Sequence, residues 1–237
     1  MNKFEKKSIL VVGGSSGIGA ATAKAFASEG ANVTIASRNP QKLADAARHI
    51  ARNVVTAVLD TTDAAAVDAF FAQHVPFDHV VVSAAQTPGG PVRTLALPDA
   101  RTAMESKFWG AYHIARSAKI NAGGSLTLVS GFLSVRPSKT SVLQGAINAA
   151  LEALARGLAL ELSPIRVNTV SPGLIDTPLW GKLDDAARAS LFSSTAERLP
   201  ARRIGQPEDV ASAILYVAAN SYASGSTVLV DGGGAIA

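Results

Sequence analysis

The sequence predicts an α/β fold: a doubly wound parallel sheet of about seven strands, with helices on both faces in three α/β/α layers. Three observations predict it. Short apolar runs alternate with longer Ala-rich amphipathic segments, the order that builds strand–helix–strand units. The runs are continuous in Val, Ile and Leu, as in strands buried on both faces. The first of them, Ile9-Leu10-Val11-Val12, leads straight into a glycine-rich turn, Gly13-Gly14-Ser15-Ser16-Gly17-Ile18-Gly19.

The candidate strands are Ser8–Val12, Asn32–Ala36, Val54–Leu59, His79–Val82, Ser125–Val129, Arg166–Val170 and Thr227–Val230. Helix punctuation fills the gaps. Ala20–Ser28 continues from the glycine turn. Asn39 can cap a helix with Pro40 in its first turn, and Asp63 opens Ala64–Gln73. Pro207-Glu208-Asp209 places Pro and acids at the start of Glu208–Ala219, where the helix dipole favours them. Residues 177–204 mix Pro, Trp180, Gly181 and charges. They read as a loop with short helices, of the kind that forms lids or substrate walls. No linker, repeat or charge block divides residues 1–237, so one domain is expected.

Composition narrows the chemistry. Of 237 residues, 48% are hydrophobic and 17% charged, enough apolar material for a large core. With no Cys, thiol nucleophiles, disulfides and Cys-ligated metals are excluded. The three tyrosines, Tyr112, Tyr216 and Tyr222, are the only candidates for phenol chemistry. A net charge of +4 is scattered rather than striped, which argues against nucleic acid and is compatible with one anionic small ligand. No apolar run approaches the roughly 18–20 residues of a membrane span. The basic start, Lys3, Lys6 and Lys7, precedes an apolar run that stops at Gly13, short of a secretion signal. A soluble, cytoplasmic protein is expected. His49, His74, His79 and His113 show no metal-ligand spacing.

The glycine turn carries the first functional reading. Gly13 permits a tight turn, Gly17 lets backbone approach a pyrophosphate, and Gly19 allows close helix–strand packing. The N–H groups of the following helix, with Ser15, Ser16 and Ile18 in the turn, would face the anion. A strand before and a helix after supply the context that such a pattern needs. At the end of the second strand, where an acidic residue would select NAD, stand Ser37 and Arg38. Arg38 reads either as the partner of a 2′-phosphate, which predicts NADP(H), or as a surface arginine at a loop tip.

These residues resemble the short-chain dehydrogenase/reductase family, whose fold is Rossmann-like. Gly13-xxx-Gly17-x-Gly19 is similar to the family's TGxxxGxG, with Val12 in place of Thr. Further matches are Arg166-Val167-Asn168-Thr169-Val170-Ser171-Pro172-Gly173, Gly205-Gln206-Pro207-Glu208-Asp209-Val210-Ala211 and Val230-Asp231-Gly232-Gly233. The resemblance covers essentially the whole chain. It implies that Asp60 contacts adenine and that Ile175 and Thr177 meet the nicotinamide carboxamide, beside Pro172 and Gly173. It puts Val82-Ser83-Ala84-Ala85 in place of Asn-Asn-Ala-Gly, with Ser83 near the cofactor.

The family's catalytic Asn, Ser, Tyr and Lys have no counterparts at the positions implied. Anchoring the long helix on Ala149-Ala150-Leu151-Glu152-Ala153-Leu154 puts the Lys position at Asn148 and the Tyr position at Gln144. The Ser position falls on Gly131, beside Ser130, and the Asn position on Lys107. Gln144 can donate a hydrogen bond but is no acid near neutral pH. Asn148 keeps a ribose hydrogen bond without the cation. Ser130 or Ser134 could swing in for the lost hydroxyl. Lys107 either replaces the missing cation or donates a proton, or it fills the vacated space or snorkels to solvent. Lys139 and Ser141 read as a solvated loop residue and a helix cap, and Trp180 and Phe192 as pocket lining or as lid residues packed on the body.

Two functions follow. One is an NADP(H)-dependent oxidoreductase that transfers hydride to a carbonyl compound or from an alcohol through an altered, tyrosine-independent site. The other is a catalytically inactive NADP(H)-binding sensor or scaffold. The resemblance also implies two long helices, about Ala103–Ile120 and Ser141–Leu162, and a homodimer or homotetramer that pairs them, where Ala146, Ala149, Ala150, Ala153 and Gly157 permit close approach.

Overall fold

The computed structural model describes residues 3–51 and 53–237. Its elements, in chain order, are β1 (Ser8–Val12), α1 (Gly17–Ser28), β2 (Asn32–Ser37), α2 (Pro40–Ile50), β3 (Val55–Val58), α3 (Ala64–Gln73), β4 (Phe77–Val82), α4 (Leu97–Ala103), α5 (Gly110–Ser117), β5 (Ile120–Val129), α6 (Val142–Glu161), β6 (Arg166–Pro172), α7 (Asp185–Arg198), α8 (Pro207–Ala219) and β7 (Thr227–Val230). The seven strands form one sheet in the order β3-β2-β1-β4-β5-β6-β7, with every pairing parallel. This is the expected doubly wound, three-layer Rossmann-like architecture. The chain winds outward from β1 through β2 and β3, then returns to β4 on β1's other side. That reversal opens a crevice beyond the carboxyl ends of β1 and β4, where such sheets bind ligands.

Strand polarity explains the two-sided core. Successive side chains of β1 point to opposite faces. Leu10 and Val12 join Val80, Val82, Leu126, Leu128, Phe71 and Leu151 under α3, α5 and α6. Ile9 and Val11 join Phe26, Ile35, Val81, Val170 and Ile214 under α1, α2 and α8. Burying such a side chain is worth about 1.5–3 kcal/mol, so the central strands anchor everything that the crevice needs.

Local signals act as expected at several helix starts. The Asn39 side chain accepts from the Lys42 N–H at 2.9 Å, with Pro40 in the first turn of α2. Asp63 accepts from the Ala66 N–H at 3.0 Å and caps α3. Ser141, by contrast, occupies the cap position of α6 without a side-chain hydrogen bond.

Several strand and helix ends shift by up to three residues, and three expected spans change more. β5 begins at Ile120, not Ser125: a register irregularity opposite Phe77 and His79 absorbs the glycine pair Gly123-Gly124, and the strand continues through it. The helix expected over Ala103–Ile120 starts earlier, at Leu97, ends at Ser117 and is interrupted by a π-helical turn, Met104–Trp109. Residues 177–204 contain a 3₁₀ turn, Pro178–Lys182, and one 14-residue helix, α7, capped by Asp184. No helix among the described residues is long and apolar enough to cross a membrane.

Candidate functional site: a dinucleotide crevice with a buried lysine cluster

The glycine turn forms a close-fitting cradle at the end of β1. Gly13 has φ of +86°, a left-handed conformation, and a Cβ there would lie 2.5 Å from the Ala84 nitrogen. A Cβ on Gly19 would lie 2.1 Å from the Gly13 carbonyl oxygen, so α1 approaches the strand end more closely than any side chain allows. The first turn of α1 carries no acidic residue, and Ser16 makes no side-chain cap bond. The α1 N-terminus therefore presents backbone donors and positive dipole to the crevice, with Ser15 half-buried and Ser16 exposed beside them. A pyrophosphate fits this donor set.

The neighbouring residues close around the cradle. Thr177 lies against Gly17, 3.3 Å from where a Cβ would stand, so the chain leaving β6 covers the mouth of the loop. The N–H of Gly173, just after Pro172, donates to the Val230 carbonyl at 2.9 Å, tying β6 to β7 below it. Ile175 is buried and forms a bridge with Gly205. Ser83 hydrogen-bonds the Val12 carbonyl through its hydroxyl, at 3.1 Å, and through its N–H, at 2.9 Å. Its hydroxyl thus locks the loop to β4.

The exposed Arg38 donates to the Gln86 side-chain oxygen at 2.9 Å, spanning from the end of β2 to the loop after β4. Gln86 is in turn held by its N–H on the Ser106 hydroxyl at 2.7 Å. Sequence reading missed Gln86, which carries no motif. Ser37 differs from its neighbour: its hydroxyl oxygen is buried and finds no hydrogen-bond partner among the described residues. Asp60 is half-buried and accepts from the Thr62 N–H at 3.0 Å and hydroxyl at 2.8 Å, which orients the carboxylate after β3.

The residues placed at the catalytic positions assemble, but not all face the crevice. Lys107 does not snorkel to solvent but lies 8% exposed in the core. The π-helical turn carries it inward, and its Nζ donates to the Ser130 carbonyl at 2.7 Å and to Asn148 Oδ1 at 2.6 Å. Burial lowers its pKa from 10.5 to about 8, against the opposing pull of the Glu152 carboxylate.

Asn148 and Ser130 turn to other members of the cluster. Asn148 is 1% exposed, and its Oδ1 accepts from Lys107 Nζ. Ser130 does not swing into the crevice; its hydroxyl is buried and donates to Glu152 at 2.9 Å, as Ser134 does at 2.7 Å. A Cβ on Gly131 would lie 2.7 Å from Asn148 Nδ2, so a side chain at 131 would require the Asn148 amide to shift. Gln144, one helical turn before Asn148, is half-buried.

Glu152, which joins this buried cluster, is another residue that sequence reading passed over. It was legible only as the next step, after 144 and 148, on one face of α6. The tyrosines lie elsewhere: Tyr112 on α5, Tyr216 on α8 and Tyr222 98% exposed. The Trp180 indole N–H donates to the Ile175 carbonyl at 2.9 Å, and its ring stands edge-on to Phe192 of the same segment. Lys139 is exposed. Each of the four histidines hydrogen-bonds a single neighbour, Asp45, Phe70, Ser125 or Thr61, and no metal-holding cluster of His, Cys, Asp or Glu occurs among the described residues.

A parallel seven-stranded sheet with a glycine cradle at its switch point defines a dinucleotide-binding protein. Known proteins narrow the class. A family model described as "Enoyl-(Acyl carrier protein) reductase" matches residues 12–234. The short-chain dehydrogenase/reductase ucsE of Acremonium sp is 30% identical, with 100% of this chain and 98% of that protein covered. The chain belongs to the short-chain dehydrogenase/reductase family of oxidoreductases. A solved small-chain dehydrogenase in complex with NADPH is 34% identical with a TM-score of 0.81, covering 98% of this chain and 100% of the other. An NADPH-bound short chain oxidoreductase of Pseudomonas aeruginosa, described as containing an atypical catalytic center, is 26% identical with a TM-score of 0.89, covering 97% and 98%.

Proposed function

We propose that the protein is an NADP(H)-dependent oxidoreductase acting on a carbonyl compound or alcohol through a site that needs no tyrosine. The observation that carries this reading is the buried Lys107 ammonium, held on the Ser130 carbonyl and Asn148 at the heart of the cluster. A cation so placed supplies the positive charge, and a pKa lowered toward neutrality suits it to hold and release a proton. When bound, the dinucleotide supplies the hydride for the carbonyl carbon. The Gln144 amide donates a hydrogen bond to the carbonyl oxygen and orients it. The third N–H of Lys107 Nζ hands its proton, through water, to that oxygen as negative charge develops on it.

Preference for NADP(H) is supported by Arg38 and by the absence of an acid at the end of β2. Asp60 would meet the adenine and Thr177 the carboxamide. Residues 177–204, pinned through Trp180, would form the substrate wall. A homodimer or homotetramer is supported by the small residues Ala146, Ala149, Ala153 and Gly157, which line an exposed stripe on α6.

Fluorescence titration tests the cofactor. NADPH is expected to bind at least about tenfold more tightly than NADH, the worth of one charge-assisted contact, and Arg38→Asp to abolish the difference. Equal affinities for the two would overturn the assignment. NADPH oxidation across a panel of carbonyl compounds tests the activity, with Lys107→Ala expected to lower turnover by roughly 10²–10⁴. Tight NADPH binding without turnover anywhere in the panel would favour the other reading, a non-catalytic sensor or scaffold. The near-complete burial of Asn148 is the observation on that side.

A further inference from the structure

Glu152 has no part in the chemistry above, yet its position is unusual. It is 7% exposed, and one carboxylate oxygen accepts three hydroxyls: Ser134 at 2.7 Å, Ser130 at 2.9 Å and Ser171 at 3.2 Å. They come from three places: a 3₁₀ turn (Phe132–Ser134), the end of β5 and β6. A buried carboxylate is costly unless it is paired, and no lysine or arginine contacts Glu152 directly among the described residues. Its route to a cation runs through one residue. Ser130 gives its hydroxyl to Glu152 and its carbonyl to Lys107 Nζ. Asn148, which completes the ammonium's hydrogen bonds, lies one turn from Glu152 on the same helix.

We propose that Glu152 is the positioning residue of the Lys107 ammonium: it clamps the Ser130 peptide so that its carbonyl receives Nζ, and its negative charge keeps the buried cation protonated. The inference rests on the reading of Lys107 as the cation of the site. The groups facing Lys107 limit the alternatives. The Ser130 carbonyl at the end of β5 and Asn148 from α6 are neutral, and among the described residues Glu152 is the one charged group that acts on the ammonium. Burial and Glu152 oppose each other there, as the lowered Lys107 pKa of about 8 reflects. The Glu152 charge acts on Nζ through space, so neutralising it in an intact fold changes the lysine's proton affinity directly.

The test is a heteronuclear NMR titration of the full-length protein labelled at lysine, without cofactor or substrate, with the Lys107 signal assigned by its loss in Lys107→Met. In Glu152→Gln the Lys107 pKa is expected to fall by about one pH unit or more, and Glu152→Asp to restore part of it. Lys107 titrating identically in the wild type and in folded Glu152→Gln would overturn the proposal. Should Glu152→Gln fail to fold, the double variant Glu152→Gln/Lys107→Met is expected to fold again, because both buried charges are gone. A double variant that does no better than the single one would overturn it equally. The outcome is separable from that of the proposed reaction. An unmoved Lys107 in an enzyme that turns over removes Glu152 alone, whereas a shifted Lys107 in a protein without turnover removes the reaction alone.

Discussion

Replacing Lys107 with Met gives a stability difference whose size and pH dependence follow from the structure. Methionine keeps the length and apolar stem but removes the charge and its hydrogen bonds to the Ser130 carbonyl and Asn148. Burial lowers the Lys107 pKa from 10.5 to about 8. At about 1.4 kcal/mol per pH unit, keeping this ammonium in the core costs roughly 3 kcal/mol. Its two lost hydrogen bonds are worth about 1–3 kcal/mol each. These two terms nearly cancel, but the variant also leaves the buried Glu152 carboxylate without its cation, so the wild type should lead already at pH 7. Below pH 8 the lysine is protonated folded and unfolded, and the cost is constant. Between pH 8 and 10.5 the unfolded chain holds more protons than the folded one, so the wild type gains stability as pH rises. Urea unfolding followed by circular dichroism at pH 7, 8, 9 and 10 should show the wild type drawing further ahead by roughly 2–3 kcal/mol across that range. Titrating groups that do not interact with Lys107 are shared and cancel in the difference. A difference that stays flat from pH 7 to 10 would refute the buried, protonated lysine and the role built on it.

Two further perturbations probe the fold around the site. Gly19→Ala sets a Cβ 2.1 Å from the Gly13 carbonyl oxygen and 2.6 Å from the Ser83 hydroxyl; overpacking of that kind costs about 1–3 kcal/mol or more. NADPH binding by fluorescence should be lost, and wild-type affinity in a folded variant would contradict the close approach. His79, 7% exposed and hydrogen-bonded to Ser125, has its pKa lowered from 6.5 to about 4, chiefly by burial and then by the Arg166 charge. The unfolded chain therefore takes up the proton first. Stability should fall by up to roughly 3 kcal/mol as pH drops from 6.5 to 4, and His79→Gln should flatten that loss in acid unfolding curves. Identical acid curves for the two proteins would count against it.

The layered fold was legible because its signals are local. Each central strand is a short Val/Ile/Leu run, and β1 runs into a turn that only glycines can make at Gly13 and Gly19. Asn39 and Asp63 cap the helices that they were expected to cap. Boundaries failed where a local rule met a tertiary one. Gly123-Gly124 signals a turn, but pairing with β4 carries the strand across it. Residues 185–198 look irregular in composition, yet Asp184 caps a continuous helix there.

By itself, then, the sequence determined the sheet, the crevice and the phosphate cradle, because strand burial, helix caps and glycine turns depend on a few neighbouring residues. The tertiary structure alone decided what the catalytic positions became. Whether Lys107 faced water or the core depended on a π-helical turn that rotates it inward, which no periodicity announces. Whether Ser130, Asn148 and Glu152 met substrate or one another depended on distances across β5, α6 and β6, between residues far apart in the chain. Hydrogen bonds and charge effects act through space, and in a low-dielectric interior they decide which side chains are free to react.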